Sequence, residues 1–124
     1  MAELLYQDET HKIIGICFDV HNQLGPGFAE IVYKDALEYE FRTQNIFFER
    51  EVEYSVFYKT VVLPHKFYAD FVVFEHIILE VKGIQRIARE HIAQTINYLK
   101  VSGNDVGLLV NFGEPKLIYK RLVL

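Results

Sequence analysis

The chain has 124 residues, the length of one ordinary domain, and 51% of them are hydrophobic, which is enough apolar material for one core. We therefore expect a single domain over residues 1–124 that is ordered nearly from end to end. The formal net charge of −4 argues against nucleic-acid binding by bulk electrostatics, because neutralising phosphates needs clustered Lys and Arg.

Two helices are predicted at the start of the chain. Thr10 can cap the first helix, whose apolar residues recur at three- and four-residue spacing until Gly25-Pro26-Gly27 stops it. The second helix runs from about Phe28 to Thr43, with Tyr33, Leu37 and Phe41 at intervals of four. The short connection between them predicts a helical hairpin.

Three strands are predicted in the middle of the chain. Alternation from Ile46 to about Val62 indicates a strand exposed on one side, which Pro64 then interrupts. The runs 67–74 and 77–81, on either side of Glu75-His76, indicate a hairpin that is apolar enough to be buried on both faces. We expect this hairpin at the centre of the sheet.

A third helix and two strands complete the predicted fold. The helix runs from about Gln85 to Val101 and exits through Ser102-Gly103-Asn104. The strands 106–110 and 116–122 are separated by a turn at Gly113-Glu114-Pro115. The predicted class is therefore α/β, in the order α-α-β-β-β-α-β-β.

The location of the protein is predicted from what its sequence lacks. The amino-terminal residues do not resemble a signal peptide, and no segment approaches the roughly 20 apolar residues of a membrane span. We therefore expect a cytoplasmic protein with no membrane partner. Cys17 is the only cysteine, and its apolar neighbours predict a buried thiol.

Asp70, Glu80 and Lys82 are charged residues in the most apolar part of the chain. A buried carboxylate needs a counter-ion, a metal or hydrogen bonds to offset its lost hydration. Glu80 and Lys82 are two apart on a strand, so their side chains emerge from one face. Asp70 joins that face only if the numbers of paired residues add to an even value, which an odd-membered loop or a bulge near 74–77 achieves. A two-residue Glu75-His76 turn would separate the acids, and we predict against it.

The chemistry open to these three residues is that of a metal site. Two carboxylates and a strand carbonyl can bind one or two hard cations such as Mg²⁺ or Mn²⁺. Such a cation polarises a phosphate and lowers the pKa of a bound water, and a divalent charge would also reverse the local sign of an acidic surface. Lys82 could orient that water or stabilise charge on the phosphoryl oxygens. A partly buried Asp–Lys–Glu ion-pair network is the alternative.

The pattern Asp70…Glu80-Val81-Lys82 resembles the core of the PD-(D/E)XK nucleases. The segment Gly27-Phe28-Ala29-Glu30-Ile31-Val32-Tyr33 resembles the motif that names the GxxExxY protein family. The resemblance extends over nearly the whole chain, from Ile13 to Lys120-Arg121. It implies a restriction-endonuclease-like core with a mixed central sheet flanked by helices.

The same resemblance implies roles for residues on two helices. Glu30 would be a further acidic residue at the metal, whereas its helical spacing also allows a surface pair with Lys34. Gln94 and Tyr98, one helical turn apart, resemble a Q-x-x-x-Y element that accompanies the active site, although Tyr98 could instead be a core aromatic. His91 could carry a proton or bind a metal, but a lone histidine on a helix usually does neither.

The resemblance predicts a Mg²⁺- or Mn²⁺-dependent hydrolase of phosphodiester bonds in DNA or RNA. Asp70 and Glu80 would bind the metal with help from Glu30, Lys82 would be the catalytic base or electrostatic stabiliser, and Gln94 and Tyr98 would contact the substrate phosphate. The alternative is a non-catalytic module on the nuclease fold that binds nucleic acid or another protein. Some of the 8 Tyr and 10 Phe residues would then form a base-stacking surface or the seam of a homodimer.

Overall fold

The computed structural model describes residues 5–124, which form three helices and five strands. Their order along the chain is the α-α-β-β-β-α-β-β order that the sequence predicts, so this prediction is confirmed. The elements are α1 (Gln7–Leu24), α2 (Glu30–Thr43), β1 (Phe48–Tyr58), β2 (Val61–Val73), β3 (Ile77–Lys82), α3 (Arg89–Ser102), β4 (Val106–Asn111) and β5 (Ile118–Val123).

The five strands form one mixed sheet in the spatial order β1-β2-β3-β4-β5. β3 and β4 are parallel, whereas the other neighbouring pairs are antiparallel. A tight turn cannot join parallel strands, so the chain crosses over one face of the sheet through α3. The mixed central sheet flanked by helices is thus confirmed.

Helices cover both faces at the centre of the sheet. The core between the sheet and the pair α1 and α2 includes Phe71 and Leu79, and a smaller core under α3 includes Val72 and Ile78. Every residue of β4 is buried, as is β3 up to its last residue, which explains the near-continuous apolar runs in their sequences. Cys17 lies in the first core, as predicted, and burial raises the pKa of its thiol.

The first two helices begin at other residues than the sequence suggests. Thr10 does not cap α1 but lies inside it, and its hydroxyl donates a hydrogen bond to the carbonyl of Gln7 at 3.0 Å. α2 begins at Glu30 and not at Phe28, because the residue before it, Ala29, has an extended backbone with φ −64° and ψ 153°.

The third helix begins at Arg89 rather than at Gln85. The ring of His91 accepts a hydrogen bond from the amide of Ala88 at 2.8 Å and so satisfies a backbone group at the helix start. The lone histidine therefore has a structural role at this position.

Within residues 5–124, no helix has the length and apolar character needed to cross a membrane.

The first two strands differ most from their predicted bounds. The predicted strand 46–62 extends beyond the end of β1 at Tyr58, because the chain turns at Lys59-Thr60 and β2 begins at Val61. Pro64 lies inside β2 instead of ending a strand. The register of β1 and β2 shifts between Ser55 and Phe57, which leaves Pro64 outside the paired positions. A proline is tolerated there because no ladder hydrogen bond needs its missing amide proton.

Asn111, the last residue of β4, holds the loop that follows β3. Its Oδ1 accepts hydrogen bonds from the amides of Ile84 at 3.0 Å and Gly113 at 3.1 Å, and its Nδ2 donates to the carbonyl of Ile84 at 2.9 Å. Gly113 lies so close to the backbone of Ile84 that a side chain there would collide with it. The end of β3, where Lys82 lies, is therefore tied to the end of β4.

We expect Asn111→Ala to lower the free energy of unfolding by about 3 kcal/mol, because it leaves buried backbone groups of Ile84 without partners. Urea denaturation followed by circular dichroism measures this. Asn97→Ala, at an exposed position of α3, is the matched control and should change stability by less than about 0.5 kcal/mol. An equally small effect of Asn111→Ala would show that its side-chain bonds do not hold the loop.

Candidate active site

The register of the β2–β3 hairpin places Asp70 across from Glu80. The paired residues are Phe71 with Leu79, Val72 with Ile78 and Val73 with Ile77. In each pair the two residue numbers add to the same even value, as those of Asp70 and Glu80 do. The connecting loop is the three residues 74–76, two of which have a left-handed backbone, with φ of 55° and 71°. The predicted odd-membered loop is confirmed, and the tight two-residue turn is excluded.

Each of the two carboxylates accepts a hydrogen bond from the backbone of the opposite strand. The amide of Asp70 donates to Oε2 of Glu80 at 2.7 Å, and the amide of Val81 donates to Oδ2 of Asp70 at 2.8 Å. These side-chain bonds follow directly after the last backbone pair of the two strands. The acids are therefore part of the sheet's own hydrogen bonding, which fixes their positions relative to one another.

Lys34 of α2 is the cation that pairs with Asp70. Its Nζ lies 2.7 Å from Oδ1 of Asp70 and 3.1 Å from Oε1 of Glu51. Burial alone would lower the pKa of Lys34, but the hydrogen bonds and charges of these two carboxylates outweigh it and raise that pKa. An ion-pair network does exist here, but its lysine comes from α2.

The ion pairs that the sequence allows for Lys34 and Lys82 are not those observed. The Glu30–Lys34 surface pair, the alternative that helical spacing allows, is not observed, because the ammonium of Lys34 pairs with Glu51 and Asp70 instead. Lys82 is not the cation of the network, since no carboxylate within residues 5–124 forms a salt bridge with it. β3 remains regularly paired with β4 through Lys82, so Glu80 and Lys82 share a face of the strand as predicted.

Glu51 reaches the site because the first hairpin is irregular at this point. Arg50 pairs with Phe71 and Val52 pairs with Ala69, but the intervening residues Glu51 and Asp70 are not paired. Phe71 packs in the core under α1 and α2 and Ala69 in the core under α3, although residues two apart on a regular strand share a face. The alternation of side chains along β2 is therefore interrupted at Asp70, so that Ala69 and Phe71 lie on opposite faces of the sheet.

The backbone of Glu51 is strained. Its φ is 55°, a left-handed conformation that costs a non-glycine residue about 1 kcal/mol or more and that is often found at functional sites. The sequence gives no signal for it, because Glu49, Glu51 and Glu53 alternate like the exposed face of any strand. Glu51 and Lys34 are thus site residues that sequence reasoning missed.

Glu30 lies at the first position of α2, beside the end of β3. Its Oε2 accepts a long hydrogen bond from the amide of Gly83 at 3.4 Å. Tyr33 holds the preceding loop: its hydroxyl donates to the carbonyl of Gly25 at 2.6 Å and accepts from the amide of Phe28 at 3.2 Å. The Gly-x-x-Glu-x-x-Tyr spacing therefore places one carboxylate next to the strand that carries Glu80.

Glu80 is the most deeply buried acid of the site, with 3% of its surface exposed. Its burial, and then the charge of Asp70, raise the pKa of Glu80 to about 8. The amide of Asp70 and the cations Lys82 and Lys34 act in the opposite direction but do not cancel this rise. Glu80 therefore favours either a proton or an additional cation at neutral pH.

The two residues of the Q-x-x-x-Y element have different environments. Tyr98 is 7% exposed, and burial, followed by the charges of Glu80, Asp70 and Glu51, raises the pKa of its hydroxyl to about 12. It also packs edge-on against Phe67, with ring centroids 5.6 Å apart. Gln94, one turn earlier, is exposed. The structure brings Tyr98 close to the acids and leaves Gln94 on the surface of α3.

The donor set of the site suits a hard cation with two protein carboxylates. No three His, Cys, Asp or Glu side chains in residues 5–124 converge closely enough to hold a metal ion by themselves. Mg²⁺, however, is commonly bound by one or two carboxylates together with water and substrate phosphates. Asp70 and Glu80, held against one another across the strands, provide such a pair, so their chemistry fits Mg²⁺ or Mn²⁺.

Comparisons with known proteins concern the family and the fold of the chain. A family model described as the PD-(D/E)XK nuclease superfamily matches residues 7–122. The crystal structure of SSO0001 superposes with a TM-score of 0.58 at 22% sequence identity, over 74% of this chain and 48% of that one. At this identity the likeness shows the fold alone, and this chain spans about half the length of that protein. No curated protein is significantly similar to the chain.

In metal-free buffer, we expect Glu80→Gln to gain stability relative to the wild type as the pH rises from about 4.5 to about 8, and the difference to level off above that range. The folded protein retains a proton on Glu80 that the unfolded chain releases, so raising the pH destabilises the wild type through this group. Urea denaturation between about pH 5 and about pH 9 measures the difference. Glu90→Gln, at an exposed position, is the control; parallel profiles for the wild type and Glu80→Gln would contradict the raised pKa.

Proposed function

The chain belongs to the PD-(D/E)XK nuclease superfamily, and on this basis we propose that it is a Mg²⁺- or Mn²⁺-dependent nuclease that hydrolyses phosphodiester bonds of DNA or RNA. The observation that carries the proposal is the pairing of Asp70 and Glu80, each held by a backbone amide of the opposite strand. Lys82 follows on the same face as Glu80. These are the positions at which the sequence resembles the superfamily's core.

Asp70 and Glu80 are the proposed metal ligands. A bound divalent cation supplies polarisation of the phosphate and a lowered pKa of a coordinated water. Glu80 must lose its proton to act as a ligand, so metal affinity should increase with pH. Glu30, beside Gly83 at the end of β3, would be a further carboxylate that helps Asp70 and Glu80 to bind the metal.

Lys82 and α3 provide the groups that would face the substrate. Lys82 forms no salt bridge within the described residues, so its ammonium is available to orient a water or to stabilise negative charge on the phosphoryl oxygens. Tyr98, whose raised pKa keeps its hydroxyl neutral, would donate a hydrogen bond to a phosphate oxygen. Gln94, exposed one turn earlier, would contact the same strand of nucleic acid.

We also propose membership of the GxxExxY family for this chain. The supporting observation is the role of each motif position: Gly27 has a φ that favours glycine, Glu30 faces the end of β3, and Tyr33 holds the loop between them. The pattern therefore corresponds to one structural unit in this protein.

A non-catalytic nucleic-acid-binding module is the second candidate, and one feature favours it. Residues 54–69, the outer part of the β1–β2 hairpin, contain no Asp or Glu although the chain as a whole is acidic. They include Lys59 and Lys66 and expose the rings of Phe57, Tyr58 and Tyr68. Lysines and exposed aromatic rings bind single-stranded nucleic acid through phosphates and stacked bases, without any need for a catalytic metal.

We expect Asp70→Asn to reduce Mn²⁺-dependent cleavage of labelled DNA or RNA by at least about 100-fold, because it removes a ligand of the ion that stabilises the transition state. Cleavage of single- and double-stranded substrates is followed on denaturing gels, and a metal-dependent thermal shift measures binding independently. Glu49→Gln, on an exposed part of β1, is the control.

The possible results separate the two candidates. Cleavage that survives Asp70→Asn would refute the proposed site. If the wild type binds nucleic acid but neither cleaves it nor shows a thermal shift with millimolar Mg²⁺ or Mn²⁺, the non-catalytic module is the better description.

A further inference from the structure

One oxygen of Asp70 is held by a backbone amide and the other by Lys34. Oδ2 of Asp70 already accepts the amide of Val81, whereas Oδ1 contacts the ammonium of Lys34 at 2.7 Å. Both side chains of this ion pair are 13% exposed, so the contact is largely shielded from solvent. An ammonium ion and a divalent cation repel one another at such short range, so the charge of Lys34 opposes a metal ion at Oδ1.

We propose that Lys34 is a built-in counter-cation for Asp70 that is released when a divalent metal binds, and that Glu51 holds the released ammonium. The proposal rests on the metal site proposed above and adds that Lys34 lowers the affinity of this site for the metal. Lys34 is a positioning residue in this account, because it acts on Asp70 and not on the substrate.

Glu51 is suited to this part because it already contacts Lys34 and does not contribute to the Asp70–Glu80 pair. Its Oε1 lies 3.1 Å from the ammonium, and its side chain is 50% exposed, compared with 13% for Asp70. Lys34 could therefore shift toward Glu51 without losing its charge partner. Glu51 in turn pairs with no residue of β2 across the sheet.

The strained backbone of Glu51 supports the same conclusion. The left-handed residue interrupts the pairing of β1 and β2 at the position of Asp70, so this conformation does not stabilise the sheet. It does serve to bring a second carboxylate to Lys34. A lysine needed only to neutralise Asp70 would not require this second carboxylate.

The test measures Mn²⁺ affinity without nucleic acid, by isothermal titration calorimetry and by loss of the free-Mn²⁺ signal in electron paramagnetic resonance. Lys34→Met should bind Mn²⁺ about tenfold more tightly than the wild type, because no ammonium competes for Asp70. Its metal-free form should unfold at a lower urea concentration. Lys12→Met, at an exposed position of α1, is the matched control and should leave the affinity unchanged.

Glu51→Gln provides the second measurement. In the wild-type background it should weaken Mn²⁺ binding severalfold, because the released ammonium then has no carboxylate to pair with. In the Lys34→Met background it should have no effect on Mn²⁺ binding. If Glu51 instead attracts the metal directly, the substitution weakens binding equally in both backgrounds, and the proposal is overturned. If Lys34→Met does not fold, Lys34→Gln takes its place in both comparisons.

The remaining outcomes distinguish this proposal from the proposed function. Wild type that binds Mn²⁺ with the same affinity as Lys34→Met refutes the role of Lys34 and leaves the metal site standing. Absence of Mn²⁺ binding in every variant refutes both. Tighter binding by Lys34→Met without any nucleic-acid cleavage supports the counter-cation and refutes the nuclease.

Discussion

The register of one hairpin determines the rest of the site. Three residues connect β2 to β3, and this odd number places Asp70 across from Glu80. A loop one residue shorter would turn one acid to the opposite face of the sheet. The two backbone amides that bind the carboxylates would then lose their partners inside the protein, which is costly. Fold and chemistry therefore depend on the same pairing.

Much of this arrangement could be predicted from the sequence, because it depends on local periodicity. The near-continuous apolar runs 67–74 and 77–81 indicate strands at the sheet centre that are buried on both faces, and the spacing of Glu80 and Lys82 places them on one face. An odd-membered loop or a bulge between these strands follows from the cost of burying two acids separately. Pro64 could not be placed, because its tolerance depends on an irregular register that only the partner strand defines.

The pairing of Lys34 with Asp70 could not be predicted for a different reason. Spacing along a helix predicts contacts between residues one turn apart, such as Glu30 and Lys34, whereas the observed partners come from β1 and β2. Glu51 reaches them only because the side-chain faces reverse at Asp70. Such a reversal is a property of two strands twisted together between two cores, and no single segment encodes it.

The loop between α1 and α2 has a consequence for how relatives of this protein are judged. Gly27 and Tyr33 shape and hold the loop, whereas Glu30 alone points toward the end of β3. Two of the three named positions in the motif thus determine the conformation of the loop, and the third places a carboxylate beside the end of β3. A homologue could lose Glu30 during evolution and still retain the glycine, the tyrosine and the fold. Conservation of the motif at those two positions would then persist in proteins that have lost this carboxylate.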